Sequence, residues 1–303
     1  MKSRFVFYVL VFWLFGTGCS ERIEVRLRSS SPRLVVDARF TNDTAAHVVR
    51  LSRTCDYFDP DVDSLAVSDA TVYITDDGGR CFLFNEVPGS PGVYVSDSGV
   101  FGIMGEYYNL HIEAAVERGG ETLLYEARSR MPFMPVIDSV RAVYGVGLPP
   151  FHITSPDVLG WNLLLYAQDP PTREYIGFSY AVNGKMYGDS ITNLFIFPDN
   201  FSSGVYLNGV SIFFFSDSTD ADFDRPFVLS EGDVLTLHGY SFTKGYNNYI
   251  SQINTAISTN VPVFGGAPAN AVSNISNGAF GYFAVYSTGK ASCTVGKKMP
   301  LRF

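Results

Sequence analysis

ATVYITDDGGRCFLFNE, residues 70–86, consists of two short runs of β-branched and aromatic residues joined by Asp76-Asp77-Gly78-Gly79. Runs of that length and composition read as β-strands, and an Asp/Gly-rich connection supplies the backbone freedom that a tight turn between antiparallel strands needs. The stretch is therefore a β-hairpin. On either side the texture repeats: LVVDARFTN (34–42), HVVRLSRT (47–54), GVYVSD (92–97), YYNLHIEAAV (107–116) and TLLYEARS (122–129) are short, often alternating and bounded by turn residues. Arg118-Gly119-Gly120 marks a second hairpin. Seven strands at this spacing predict a β-sandwich of the immunoglobulin or transthyretin type over residues 33–130.

Met131-Pro132-Phe133-Met134-Pro135 interrupts the pattern, because each proline removes a ladder donor and restrains the residue before it. A domain boundary is expected there. A second series of strands then runs from VIDSVRAVYGV (136–146) to GAFGYFAVYSTGKASCTV (278–295). Within it, residues 244–258 place Tyr246, Tyr249, Ile250, Ile253 and Ile257 at helical spacing. The expected fold is thus all-β with one helix: the sandwich, then a larger β-rich domain over residues 136–303.

Ahead of the first strand, Met1-Lys2-Ser3-Arg4 precedes an apolar run of 11 residues, Phe5 to Phe15, and then Gly16-Thr17-Gly18-Cys19. A membrane-spanning helix needs about 20 apolar residues, so the run reads as a signal peptide, residues 1–18. Small residues before a cysteine suit cleavage by a lipoprotein signal peptidase, with lipidation of Cys19. Gly16 stands where a Leu or Val is usual. Residues 19–32 are polar and Ser-rich, as befits a lipid-anchored tether.

The full chain carries a net charge of −8, and cleavage would remove Lys2 and Arg4 but no acid. So acidic a body, without a basic stripe, excludes nucleic acid as a partner. Cys55, Cys81 and Cys293 are the remaining thiols; an oxidising envelope permits a Cys55–Cys81 bridge, with buried free thiols as the alternative.

Several segments in order carry a family resemblance. CSERIEV, LVVDARFTND, VRLSRT, SDATVYITDDGG, GEYYNLHIEA and MPVIDSV, followed by EGDVLTLHGYS, YNNYI and PVFGGAPANAVSNISNGAFGYFAVYS, resemble the Bacteroidetes lipoproteins of domain-of-unknown-function family 4249 over roughly residues 19–290. Arg39-Phe40 departs from the Gly-aromatic pair usual in the first strand. The resemblance implies an outer-membrane lipoprotein, of a kind often encoded beside TonB-dependent transporters, with an accessory role in uptake or surface assembly. It carries no catalytic or binding residues across.

No HExxH, GxSxG, phosphate-cradling glycine loop or CxxC is present, so the motif-defined enzyme classes find no match and the expectation is a protein that is not an enzyme. His47, His111, His152 and His238 are scattered along the chain. Asp217, Asp220, Asp222 and Asp224 follow an apolar strand, and alternating acids on a loop could converge on calcium, though the glycine and terminal Glu of a calcium loop are missing. Asp59, Asp61 and Asp63 form a similar run. No other cofactor is expected. The segment Thr259 to Asn277 is long, aperiodic and uncharged, and no Lys, Arg, Asp or Glu occurs between Lys244 and Lys290. Long loops of this kind are most often functional. Phe264 in this loop, with Tyr246 and Tyr249, is the expected contact surface for a barrel, a small ligand or a peptide. The expected function is an outer-membrane, cell-surface lipoprotein that partners a TonB-dependent transporter; a structural or adhesive envelope protein and an unrecognised hydrolase are the competing readings.

Overall fold

The computed structural model describes residues 31–55, 65–117, 119–148, 158–172, 174–187, 194–198, 204–217, 228–258 and 270–298. Fifteen strands and one helix are assigned among them. The first half contains β1 (Leu34–Thr41), β2 (Val48–Arg53), β3 (Thr71–Asp76), β4 (Cys81–Glu86), β5 (Val93–Ser96), β6 (Tyr107–Ala115) and β7 (Thr122–Arg130). The second contains β8 (Val136–Val146), β9 (Leu159–Gln168), β10 (Tyr175–Val182), β11 (Lys185–Tyr187), β12 (Phe195–Pro198), β13 (Tyr206–Ser216), β14 (Val234–Phe242), α1 (Lys244–Ser258) and β15 (Phe280–Thr294). The chain is mainly β, as its alternation predicts.

Alternation decides which side chains enter the core. On β1, Leu34, Val36, Ala38 and Phe40 point inward, and on β6, Tyr108, Leu110, Ile112 and Ala114 do so. The residues between them face out. The β3–β4 hairpin closes as its turn residues require: the Asp76 carboxylate, itself buried, accepts from the Arg80 backbone N–H at 2.8 Å and pairs with the Arg80 guanidinium, while Gly79 takes φ 84°. Burying that carboxylate is tolerable only because both its oxygens have donors.

The first half differs from two separate packed sheets. Strands β15-β1-β2-β5-β4-β3-β6-β7 form one continuous hydrogen-bonded path. The path curls until the segment leading into β15 meets β7: the Ser276 N–H donates to the Glu126 carbonyl at 2.8 Å, and the Glu126 N–H donates to Ser276 Oγ at 2.8 Å. Curling encloses one core and covers the free edge of β7.

β15 also ties the two halves together. It pairs in parallel with β1, Val35 opposite Phe280 through Thr41 opposite Tyr286, and antiparallel with β14. The first hydrophobic cluster accordingly contains Ile275, Ala279, Phe283 and Val285 beside residues of β1 to β7. The backbones approach so closely that a Cβ on Gly281, which holds φ 90°, would lie 1.9 Å from the Val36 carbonyl oxygen. Only glycine fits there. Beyond the ladder, the Asn42 amide donates to the Thr288 carbonyl at 3.1 Å and accepts from its N–H at 2.6 Å.

A second cluster lies between the three-stranded sheet β13-β9-β8 and the inner face of β10-β14-β15, with Trp161, Leu163, Phe178, Leu235 and Leu237 at its centre. On the opposite face of β14 and β15, α1 buries Tyr246 and Ile250, one turn apart, against Phe242 and Ala284. Thr243 caps the helix, accepting from the Tyr246 N–H at 3.3 Å. Met131–Pro135 therefore marks a change of hydrophobic cluster but no break in the main sheet. Cys55 and Cys81 are both free and exposed, so the structure contains no bridge between them, and Cys293 is free and half-buried.

Candidate functional site

The outward faces of β3, β6 and β7 carry polar side chains brought side by side by strand register. Thr75 lies opposite Asn109, Tyr73 opposite His111, Asn109 opposite Arg128 and His111 opposite Glu126. Directly opposed side chains on one face stand about 5 Å apart at Cβ, so these residues form one surface. Residues 273–276 rise beside it as a wall, making a groove of about 640 Å3. The wall is held firmly: Asn274 exchanges two hydrogen bonds with the Phe283 backbone, at 2.9 and 3.0 Å, and Asn277 donates to the Leu124 carbonyl at 2.5 Å.

At the groove floor, His111 Nδ1 lies 3.1 Å from Glu126 Oε1, and its Nε2 lies 3.3 Å from Thr75 Oγ1. With the Nδ1 proton donated to the carboxylate, Nε2 is left as an acceptor for the threonine hydroxyl. The Tyr73 ring stacks on the imidazole at 4.7 Å and 14°, fixing its plane. Arg128 sits over the Tyr107 ring at 4.6 Å and donates to Asp77 at 2.8 Å. The Asn109 amide has no hydrogen-bond partner among the described residues. The floor thus offers a hydroxyl, an imidazole, a carboxylate, a free amide and a cation to whatever enters.

Of the residues expected from sequence, Tyr246 is buried rather than exposed. It packs against Phe242 at 5.4 Å, Tyr282 at 5.3 Å and Tyr286 at 6.2 Å. That burial drives its hydroxyl pKa well up, and the burial of Tyr286 itself pushes its hydroxyl to about 12. The correction follows from helical geometry, because the stripe that seats α1 on the sheet runs through positions 246 and 250. Tyr249 is half-buried, packed at a 38° tilt against Tyr282 at 4.9 Å, and keeps an accessible edge. Asp217 accepts from Tyr144 at 2.7 Å and from Lys298 at 2.8 Å, so the protein itself supplies its counter-charge. Asp220, Asp222, Asp224, the run Asp59, Asp61, Asp63, and both Phe264 and Cys19 lie outside the described residues. Among the described residues, no group of three or more His, Cys, Asp or Glu side chains is placed to hold a metal ion.

Of the segment Thr259 to Asn277, residues 273–276 line the groove. The floor residues Thr75, Asn109, His111, Glu126 and Arg128 escape a motif search because they are distributed over three strands. Their trace in the sequence is the alternation itself: in YYNLHIEAA, Asn109 and His111 occupy outward positions between Tyr108, Leu110 and Ile112.

A model of the family described as a domain of unknown function, DUF4249, matches residues 20–292. The chain belongs to that family. The match covers β1 to β14, α1 and nearly all of β15, so the groove, its wall and the parallel β1–β15 seam all lie within the DUF4249 region. A search of curated proteins returned no similar sequence.

Proposed function

We propose that this chain is a lipid-anchored outer-membrane protein that holds a small ligand or peptide in the groove of β3, β6 and β7, as an accessory to a TonB-dependent transporter at the cell surface. The observation that carries the reading is the groove: the uncharged residues 273–276 are fastened beside a floor of five polar side chains, and polar groups converging on a concavity are what orients a bound small molecule. The leader pattern ending at Cys19 supports the anchor, since a multiply acylated cysteine supplies the two or more chains that stable anchoring takes.

The test joins anchor and partner. Cys19→Ser is expected to lose palmitate label and to leave the membrane fraction, and the native protein is expected to co-purify with an outer-membrane barrel. Arg128→Ala, which removes the cation of the groove, is expected to leave the anchor intact and weaken that association. A Cys19→Ser protein that stays labelled and membrane-bound would overturn the anchor, and an Arg128→Ala protein that keeps its partner undiminished would overturn the groove.

A further inference from the structure

The floor of the groove holds more than a binding surface requires. Thr75 Oγ1, His111 Nε2, His111 Nδ1 and Glu126 Oε1 form an unbroken hydroxyl–imidazole–carboxylate sequence with links of 3.3 and 3.1 Å. This is the order in which a base activates a hydroxyl nucleophile and a carboxylate orients the base. Tyr73 adds a stacking contact that keeps the imidazole in the plane the sequence needs.

Acyl transfer also needs a donor for the oxyanion. β3 is paired on both sides, with β4 and β6, so its backbone N–H groups are committed to the ladder. A side chain must serve instead, and the unpartnered amide of Asn109 stands directly opposite Thr75 on β6. An Asn side chain can fill this role, and loss of one such donor costs about 100- to 1,000-fold in kcat.

We propose that the groove hydrolyses carboxylic esters of small molecules, with Thr75 as nucleophile, His111 as general base and acid, Asn109 as oxyanion donor and Glu126 as the positioning residue of the imidazole. The proposal rests on the groove being the ligand site. Thr75 Oγ1 bonds to the ester carbonyl carbon as its proton passes to His111 Nε2, and the developing oxyanion accepts from the Asn109 amide. Collapse breaks the carbon–oxygen bond to the leaving alcohol, which takes the proton from His111. Water then adds to the acyl-threonine, giving its proton to His111; the acid departs and Thr75 recovers its proton. Nothing is oxidised or reduced, and water is the only co-reactant.

The test uses the full chain in detergent with p-nitrophenyl acetate and p-nitrophenyl butyrate. Thr75→Val and His111→Asn are expected to lower kcat/KM by about 100-fold or more, in line with loss of a nucleophile or general base. Thr75→Ser, which keeps the hydroxyl without the methyl, is expected to retain turnover. Glu126→Gln is expected to lower kcat with KM unchanged, a split that a merely structural role would not produce. Mass spectrometry of the acid-quenched reaction is expected to place the acyl group on Thr75. Equal rates for the native and Thr75→Val proteins, both shown to be folded by their melting temperatures, would overturn the proposal, as would an acyl group found only on lysine. Either result leaves the membrane and co-purification results standing, so failure of the chemistry is distinguishable from failure of the capture reading.

Discussion

Phe283→Ala tests whether the two halves of the chain share one folding unit. Phe283 is fully buried, belongs to β15, and packs in the first cluster with residues of β1 to β7. Truncating a buried Phe to Ala costs about 3–5 kcal/mol, from lost transfer energy and the cavity left behind. Against a total stability of about 5–15 kcal/mol for a folded domain, that is a large fraction. With a urea slope of about 3 kcal/mol/M, the upper end for small proteins, the midpoint moves down by about 1–1.7 M. The assay has a built-in reporter: the chain's 2 tryptophans are Trp13, within residues 1–18, and Trp161, in the second cluster. In protein lacking residues 1–18, Trp161 fluorescence reports the second half while far-ultraviolet circular dichroism reports all strands. The prediction is that both probes shift together, although the substitution lies in the first cluster. Leu83→Ala, at a side chain 62% exposed, serves as the control and is expected to stay within about 0.5 kcal/mol of native. A Trp161 transition that keeps its native midpoint while circular dichroism falls early would refute the reasoning and restore two independent domains.

The same seam predicts that residues 33–130 expressed alone lack a complete core, because Ile275, Ala279, Phe283 and Val285 are missing and the β15-facing edge of β1 is bare; thermal melting of that fragment is expected to be broad and non-cooperative, and a sharp transition would count against it. Gly281→Ala forces a Cβ against the Val36 carbonyl at positive φ, and a loss of about 3 kcal/mol or more, or failure to accumulate folded protein, is expected from backbone strain and overpacking together. His47 is buried, and burial lowers its pKa despite the bond at 3.1 Å between Nε2 and the Val100 carbonyl. The unfolded chain therefore binds the proton more readily than the folded one, so stability is full above the unfolded value of about 6.5 and declines as pH falls through it. Urea midpoints at pH 7.5 and 5.5 should show that decline, and His47→Gln, which never takes up a proton, should flatten it.

The sequence by itself determined everything that period and turn chemistry can specify. The β3–β4 and β6–β7 hairpins, the inward sets of β1, β3 and β6 and the bounds of α1 follow from local spacing, because a pleated strand alternates its faces and a helix repeats every 3.6 residues whatever surrounds them. The change of texture at Met131–Pro135 was equally legible, and it does mark the passage from one hydrophobic cluster to the next. The tertiary structure alone decided that β15 returns across about 240 residues to lie parallel to β1, since no local pattern records which distant edge a strand will join. It also decided that Tyr246 is spent on packing while Tyr249 keeps an edge, because a helical stripe shows which face is apolar but not how deep the partner sheet will take it. The groove shows the same division. The outward positions of Thr75, Asn109, His111, Glu126 and Arg128 are written in the alternation of three separate strands, but their meeting depends on cross-strand register, which hydrogen bonding settles only when the sheet forms.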